Sequence, residues 1–385
     1  MGERVKQRLT VLQVVPALHG GGVERSTLEV AAALVRHGHR SLVISGGGRL
    51  LPELEAGGSE HIGWPIGRKS PMTLRLVPRL RRLLLRERVD ILHARSRLPA
   101  WIAWLAWRGM DPARRPRFIT TVHGLNSVNA YSAVMLKGER VIAVSGSVRD
   151  YVLRHYPGLE SERMTVIPRG VDPAVFAPGY QPDAAWLAGW SRQYPELRGR
   201  YVLTLPGRIS RRKGIYGFLD IMAALRSRGV PAHGLVVGEF PRGTAKPRGK
   251  LQAKITQLGL SAALTFTGYR PDVREILAVS DVMLSLSRQP EAFGRTVNEA
   301  LALGVPVAGY THGGVGEQLA RHFPAGAVTP GDTNTMVDRL QAWYTAPPLM
   351  QDISPYMLDD MLSQTLDLYQ MNCRSGYPEG RQHAG

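Results

Sequence analysis

Apolar runs of strand length alternate with helix-period segments along this 385-residue chain, and that rhythm constrains the fold more than any other feature. A first series of runs comprises Leu9 to Val15, Ser41 to Ser45, Val89 to His93, Phe118 to Val122, Arg140 to Val144 and Met164 to Ile167. A second comprises Tyr201 to Leu205, Gly234 to Val237, Leu264 to Thr267, Asp281 to Leu286 and Val305 to Ala308. Most are uninterrupted, as strands covered on both faces should be. Helical patterns such as Glu24 to Arg36, Tyr216 to Arg226 and Arg295 to Leu303 lie between them. Alternating β and α elements build parallel sheets through right-handed crossovers, so the expected class is α/β.

The two series are separated by Pro168 to Pro195, which holds five prolines and no sustained strand pattern. At roughly 150 residues per domain, the length also fits two domains. The expectation is two doubly wound, Rossmann-like domains, 1–180 and 181–345, facing each other across a cleft. A C-terminal helix and a loose tail follow over 346–385. In such sheets ligands bind outside the carboxyl ends of the strands, so the loops after strands are where chemistry is sought.

Lysine and arginine number 49 against 31 acids, a formal charge of +18, and the excess is regional. Residues 1–180 carry 27 bases and 14 acids, the rest 22 and 17. Such an imbalance implies an anionic partner for the first half: a membrane surface, a phosphorylated glycan or nucleic acid. The chain has no long basic tail and no known nucleic-acid module, which disfavours nucleic acid. Cys373 is the only cysteine, so no intrachain disulfide or thiolate metal cluster can form, as suits a reducing compartment. The longest uncharged apolar run, Leu98 to Trp107, is about half of the roughly 20 residues a membrane span needs. The N-terminus superficially imitates a signal peptide, but it enters Gly20-Gly21-Gly22 and a helical pattern with no small-residue cleavage site, so a first strand is the better reading. A cytoplasmic protein held peripherally at the inner face of the membrane is expected.

Arg68 to Arg88 contributes eight bases and one acid, with Leu74, Val77, Leu80 and Leu84 forming an apolar stripe. A basic amphipathic helix can lie in an anionic interface. The same pattern fits an ordinary surface helix packed on a sheet, and Pro78 interrupts it. Trp101, Trp104 and Trp107 recur every three residues and suit either an interface or a core or acceptor-binding helix.

Three loops after strands carry candidate chemistry. Gly20-Gly21-Gly22 opens a helix, where a close backbone and unpaired N–H groups suit an anion; steric need in a βα turn explains it equally well. Gly207-Arg208 with Lys213-Gly214 offers a planar fork and a mobile point charge, a combination suited to a diphosphate, or else a solvated basic loop. Glu291-Ala292-Phe293-Gly294-Arg295-Thr296-Val297-Asn298-Glu299 sets two carboxylates across the start of a helix. One could face a reacting sugar while the other grips hydroxyls further along, although Glu299 could merely complement the helix dipole.

Together these segments resemble the retaining glycosyltransferases of family 4. Glu291 and Glu299 with seven residues between them, Phe293-Gly294 and Gly304-Val305-Pro306-Val307 are similar to the family signature. Gly207-Arg208 with Lys213-Gly214 is similar to its phosphate loop. Val166-Ile167-Pro168, Gly170-Val171-Asp172 and Phe176 resemble its interdomain segment, and His312-Gly313-Gly314 with Glu317 its last cleft loop. The resemblance runs from about Leu9 to about Tyr344 and implies the GT-B fold, with an N-terminal acceptor-binding and a C-terminal nucleotide-sugar-binding domain. It also implies roles. Gly21, Gly22, Gly207, Arg208 and Lys213 would hold the donor diphosphate, Thr296 and Val297 would donate backbone N–H groups to phosphate, and Phe293 and Gly294 would line the same site. Glu299 would bind the ribose, Glu291 the donor-sugar hydroxyls, and His123 would sit near donor sugar and acceptor. Ala292 stands where the family commonly has glycine.

The implied donor is a UDP- or GDP-linked sugar acting as substrate, with no cofactor. The chain contains no Asp-x-Asp, so Arg208, Lys213 and helix termini are expected to take a metal's role in stabilising the leaving diphosphate. The segment His93 to Trp101 resembles proteobacterial lipopolysaccharide enzymes, which implies a lipid-linked or lipopolysaccharide-core glycan acceptor. Competing readings are a nucleotide-sugar 2-epimerase of the same fold and a non-catalytic binder of anionic membranes.

Overall fold

The computed structural model describes residues 8–240, 245–350 and 353–374. The chain divides into two compact units, one running to Arg169 and resuming at Asp359, the other spanning Gly170–Leu358.

The first unit is built on seven parallel strands: β1 (Thr10–Val14), β2 (Arg40–Ser45), β3 (Glu60–Gly63), β4 (Ile91–Ala94), β5 (Arg117–Val122), β6 (Arg140–Ala143) and β7 (Met164–Val166). Their order is β3-β2-β1-β4-β5-β6-β7. Val11 pairs with Ser41 of β2 on one side and Ile91 of β4 on the other, so the winding reverses at β1 and β4. The inner strands are apolar because helices cover both faces: Val11, Leu12 and Val14 are fully buried. β3 was not legible as an apolar run. It is an edge strand with exposed ends, registered by Leu42 opposite Glu60 and tied by Arg40 Nε to Glu60 Oε1 at 2.7 Å.

The second unit has six parallel strands: β8 (Tyr201–Pro206), β9 (Ala232–Val237), β10 (Leu264–Gly268), β11 (Val282–Ser285), β12 (Val307–Tyr310) and β13 (Ala327–Val328). The order β10-β9-β8-β11-β12-β13 reverses at β8 and β11. Helix Ile215–Ser227 buries Ile215, Phe218, Leu219, Met222 and Leu225, the i, i+3, i+4 spacing of a core-facing stripe. Phe218 is fully buried in a cluster with Leu203, Val282 and Val307, and such burial contributes about 1.5–3 kcal/mol.

The division falls after Arg169 rather than near 180. The Pro-rich segment carries helix Ala184–Gln193, capped by Asp183 Oδ1 accepting from Trp186 N at 2.8 Å, and buries Trp190 and Tyr194 against Leu235 and Ile276 of the second unit. The C-terminal stretch is likewise shared. Residues up to Leu358 stay with the second unit, while helix Leu358–Arg374 packs on the first from Asp359 on, its Tyr369 fully buried 2.6 Å from His93 Nδ1. The expected loose tail beyond 374 lies outside the described residues. The two chain passages pair beside one another: Val171 N donates to Tyr356 O at 3.0 Å and Leu358 N to Val171 O at 2.8 Å.

Candidate active site

In the second unit, the loops leaving β8 and β11 start from neighbouring strands at the point where the strand order reverses. Lys213 Nζ lies 2.8 Å from Glu291 Oε1, and Arg288 N donates to Arg212 O at 2.8 Å, so side chain and backbone both tie the basic loop to the acidic one. Ser287 Oγ also donates to Glu291 Oε1. Burial pushes the Glu291 carboxyl up, but the Lys213 ammonium, the two donated bonds and Arg212 outweigh it and hold the group below the usual carboxylate range. Glu291 is therefore ionised at neutral pH. Gly207, at the end of β8, is half-buried, while Arg208 is exposed and free to meet an anion.

The loop Glu291–Gly294 is shaped from behind by the start of helix Gly313–His322. Gly314 N donates to Glu291 O at 2.8 Å, and His312 Nε2 lies 2.7 Å from Ser287 O. Gly313 has φ +62°, and a Cβ there would come 2.4 Å from Glu291 O. Gly294, at φ +85°, caps helix Arg295–Ala302, and a Cβ there would meet Val315 Cγ2 at 2.6 Å. Both positions thus require glycine. The buried Gln318 amide donates to Phe293 O and to Gly294 O, the latter at 3.3 Å. Phe293 is buried with its ring centroid 5.7 Å from Tyr356.

At the start of helix Arg295–Ala302, Val297 N already donates to Gly294 O at 3.0 Å. The Thr296 amide lies one residue earlier, in the first turn, where helices lack internal acceptors. Glu299 is half-buried and accepts from Arg295 Nε at 3.0 Å. The structure therefore brings Gly207, Lys213, Glu291, Phe293 and Gly294 into one constellation, with Arg208 on the same loop and Thr296, Val297 and Glu299 on the adjoining helix. Ser287, His312 and Gln318 position it. Of these three, only His312 lay in a motif noticed in the sequence, because backbone-directed bonds leave no spacing signature.

The other candidates belong to the first unit. Gly21 caps helix Gly22–Arg36, and both Gly21 and Gly22 are exposed. His123 immediately follows β5, half-buried, with Nδ1 2.7 Å from Arg169 Nη2. Behind it lies a polar network that sequence reading missed. Buried Arg95 donates from Nε to Gln13 Oε1 at 2.7 Å and from Nη1 to Ser26 Oγ at 3.1 Å. Burial pushes His93 far below the ordinary imidazole range, aided by Arg95 and Arg169. Burial raises Tyr369 to about 12. The only sequence signal was charge inside an otherwise apolar βα junction, His93-Ala94-Arg95.

The basic stretch forms a 3₁₀ turn, Pro71–Arg75, followed by helix Leu76–Arg86. Pro78 falls in the first turn, where its missing N–H costs nothing. Leu80 and Leu84 are buried and Val77 half-buried, so most of the stripe packs inward, whereas Met72 and Leu74 are each 55% exposed beside exposed Arg75, Arg79, Arg82 and Arg86. Trp107 is buried and donates to Pro116 O at 2.8 Å, while Trp101 and Trp104 are half-buried with rings 5.5 Å apart. No helix among the described residues is long and apolar enough to cross a membrane.

Two family models match the chain: "Glycosyltransferase Family 4" over residues 20–175 and "Glycosyl transferases group 1" over residues 190–358. N-acetyl-alpha-D-glucosaminyl L-malate synthase of Bacillus anthracis is 24% identical over 339 residues, 84% of each chain. A solved glycosyltransferase from Rickettsia africae ESF-5 is 28% identical with a TM-score of 0.80, covering 96% of this chain and 100% of that one. HepE of Anabaena, solved with UDP-glucose, shares the fold at 20% identity and a TM-score of 0.77, over 94% and 100% of the two chains. WaaG, a glycosyltransferase involved in lipopolysaccharide biosynthesis, shares it at 18% and 0.66, over 95% and 98%. With one model taking up its first half and the other its second, on a frame of two parallel-sheet Rossmann-like domains, the chain belongs to the family 4 glycosyltransferases of GT-B type and is an enzyme of glycosyl transfer.

Proposed function

We propose that the protein moves a hexosyl group from a UDP- or GDP-linked donor to a glycan acceptor, with retention and without a metal ion. The acceptor is the lipopolysaccharide core or another cell-surface polysaccharide, met at the cytoplasmic face of the membrane. The observation that carries the reading is the Lys213–Glu291 contact, which joins the two loops at the switch point of the second sheet beside exposed Arg208 and the start of helix Arg295–Ala302. The solved complex of HepE with UDP-glucose supports the donor class, and the printed role of WaaG supports the acceptor class.

Transfer breaks the bond from the sugar's anomeric carbon to the diphosphate and forms one to the acceptor oxygen. Negative charge grows on the leaving diphosphate, where Arg208, Lys213 and the Thr296 amide stabilise it without reorganising. The acceptor proton passes to the departing phosphate oxygen, which leaves the new bond on the face the old one vacated. Glu291, ionised and held by Lys213 and Ser287, grips sugar hydroxyls as an acceptor, and Glu299 binds the ribose. Gly21 and Gly22 offer a helix N-terminus to the donor phosphates. Exposed Met72 and Leu74 among Arg75, Arg79, Arg82 and Arg86 support peripheral contact with an anionic membrane.

The test incubates the protein with UDP- and GDP-hexoses in excess EDTA, with and without lipopolysaccharide-core acceptors, and reads the anomeric configuration of the product. Transfer with the donor's anomer is expected. Isomerised nucleotide sugar with no glycosylated acceptor identifies an epimerase instead. Loss of activity in EDTA, restored by Mg²⁺ or Mn²⁺, overturns the metal-independent mechanism.

A further inference from the structure

At the carboxyl ends of its strands the first unit buries two guanidinium groups, Arg95 and Arg169, at 2% and 7% exposure. Arg169 follows β7 by three residues, and its backbone neighbours are pinned: Ile167 N donates to Ala143 O at 2.9 Å and Val171 N to Tyr356 O at 3.0 Å. Its side chain is held from a second direction, with Nη1 3.5 Å from Met361 Sδ on the C-terminal helix. Nη2 then lies 2.7 Å from His123 Nδ1 and 3.5 Å from Nε2.

A guanidinium has donors only. The nearer ring nitrogen, Nδ1, must therefore present its lone pair, and a neutral imidazole then carries its proton on Nε2. An imidazolium would set donor against donor. Burial disfavours it further, and the charges of Arg169 and Arg95 act the same way, so the ring is held well below its ordinary range and is neutral at pH 7.

We propose that Arg169 is a positioning residue that fixes His123 in the Nε2–H tautomer, so that His123 enters the transfer only as a hydrogen-bond donor to a sugar oxygen and never as its base. The inference rests on the reading that His123 meets the donor sugar or acceptor. It deepens that reading: with the ring's one lone pair engaged, the acceptor proton must go to another group, and the leaving phosphate oxygen is the one the reaction itself supplies. A neutral N–H donor, unlike an imidazolium, holds a sugar oxygen without adding positive charge beside a ring that itself gains positive character as the glycosyl–phosphate bond opens.

The experiment uses the full chain with ¹⁵N-labelled imidazoles, read by NMR at pH 7, with the His123 ring assigned by its absence in His123→Asn. Wild type should show a protonated Nε2 and an unprotonated, hydrogen-bonded Nδ1. Arg169→Met removes the donor at similar length and should release the ring to a mixture of tautomers. Its kcat should fall about 10- to 100-fold while the donor KM changes less than about threefold, the pattern of a lost transition-state donor. Arg169→Lys keeps one donor and should restore the tautomer and most of the rate. An Nδ1-protonated or doubly protonated ring in wild type, or an Arg169→Met variant with both tautomer and kcat unchanged, overturns the proposal. Wild-type transfer by His123→Asn would instead remove His123 from the reaction and with it the positioning role, even with the ring fixed as described.

Discussion

The buried carboxamide of Asn298 clasps the peptide of Tyr356 from both sides: Nδ2 donates to the Tyr356 carbonyl at 2.8 Å, and Tyr356 N–H donates to Oδ1 at 3.0 Å. Asn298 sits on the helix of the acidic motif, between Val297 and Glu299, while Tyr356 precedes the last helix. The Tyr356 ring in turn meets Phe293 at 5.7 Å and His322 at 4.9 Å, with the Arg321 guanidinium 5.2 Å from its centroid. One amide thus orders a segment 58 residues away that packs behind the Glu291 loop.

Removing that amide leaves the Tyr356 N–H without its acceptor, while the Tyr356 carbonyl keeps the bond donated by Val171 N at 3.0 Å. Asn298→Ala should therefore cost about 1–3 kcal/mol of stability and weaken nucleotide binding. Asn298→Asp keeps the acceptor and loses the donor, so it should fall between. Denaturant unfolding of the three proteins ranks them, and an Ala variant within 0.5 kcal/mol of wild type would show that the clasp is not needed, since surface changes commonly stay within about that range.

Glu291 and Glu299 face different partners, Lys213 with Ser287 in one case and Arg295 in the other. Glu291→Ala should chiefly lower kcat, by about 10²-fold, because it removes the carboxylate proposed to grip the reacting sugar and releases Lys213 from its place. Glu299→Ala should chiefly raise the donor Kd, by about tenfold, the value of one hydrogen bond made by a charged group. Steady-state kinetics with calorimetric titration separates the two effects, and wild-type values in both variants would remove this assignment.

His322 supplies a pH dependence. Burial, then the neighbouring Arg321 charge, lowers its pKa from 6.5 to about 4. The unfolded chain therefore binds a proton that the folded chain refuses, so stability is full above pH 6.5, is lost progressively as pH falls towards about 4, and levels off below. The loss should be on the order of 2 kcal/mol across that window. His322→Phe should flatten the profile in thermal unfolding between pH 7 and pH 4. An equally steep profile in the variant would assign the dependence to other groups.

How far the sequence disclosed these features follows from where each signal lies. The inner strands were legible because burial on both faces demands unbroken apolar runs, as in Leu235-Val236-Val237 of β9. β3 and β13 were not, one being a half-exposed edge and the other two residues long. The boundary shifted because Phe176 and Tyr180, inside a Pro-rich stretch, pack against the core of the second unit. The acidic motif and basic loop stood out by spacing. Tyr369 on His93, 276 residues apart, left no local pattern at all, and neither did Arg169 on His123.

The basic segment gives the last prediction. Arg75, Arg79, Arg82 and Arg86 are all exposed, and Met72 and Leu74 offer apolar side chains beside them. Near an anionic surface each arginine should contribute about 1 kcal/mol of attraction. That attraction is screened over about 8 Å at physiological salt, so binding should fall as salt rises. Arg79 also lies 4.6 Å from the Trp64 ring centroid and Arg86 pairs with Glu87 at 2.7 Å, which lessens what those two can give. Replacing all four with Gln should release the protein from vesicles rich in anionic lipid while leaving donor affinity intact, because Lys213 and Glu291 belong to the other unit. Made alone, with the four arginines kept, Met72→Ser with Leu74→Ser should weaken binding and leave a residual attraction that salt abolishes. Co-sedimentation with vesicles, run beside nucleotide-sugar titration, reads both properties. If the quadruple variant sediments like wild type, the basic excess serves acceptor phosphates or solubility; if donor affinity collapses as well, the segment is structural.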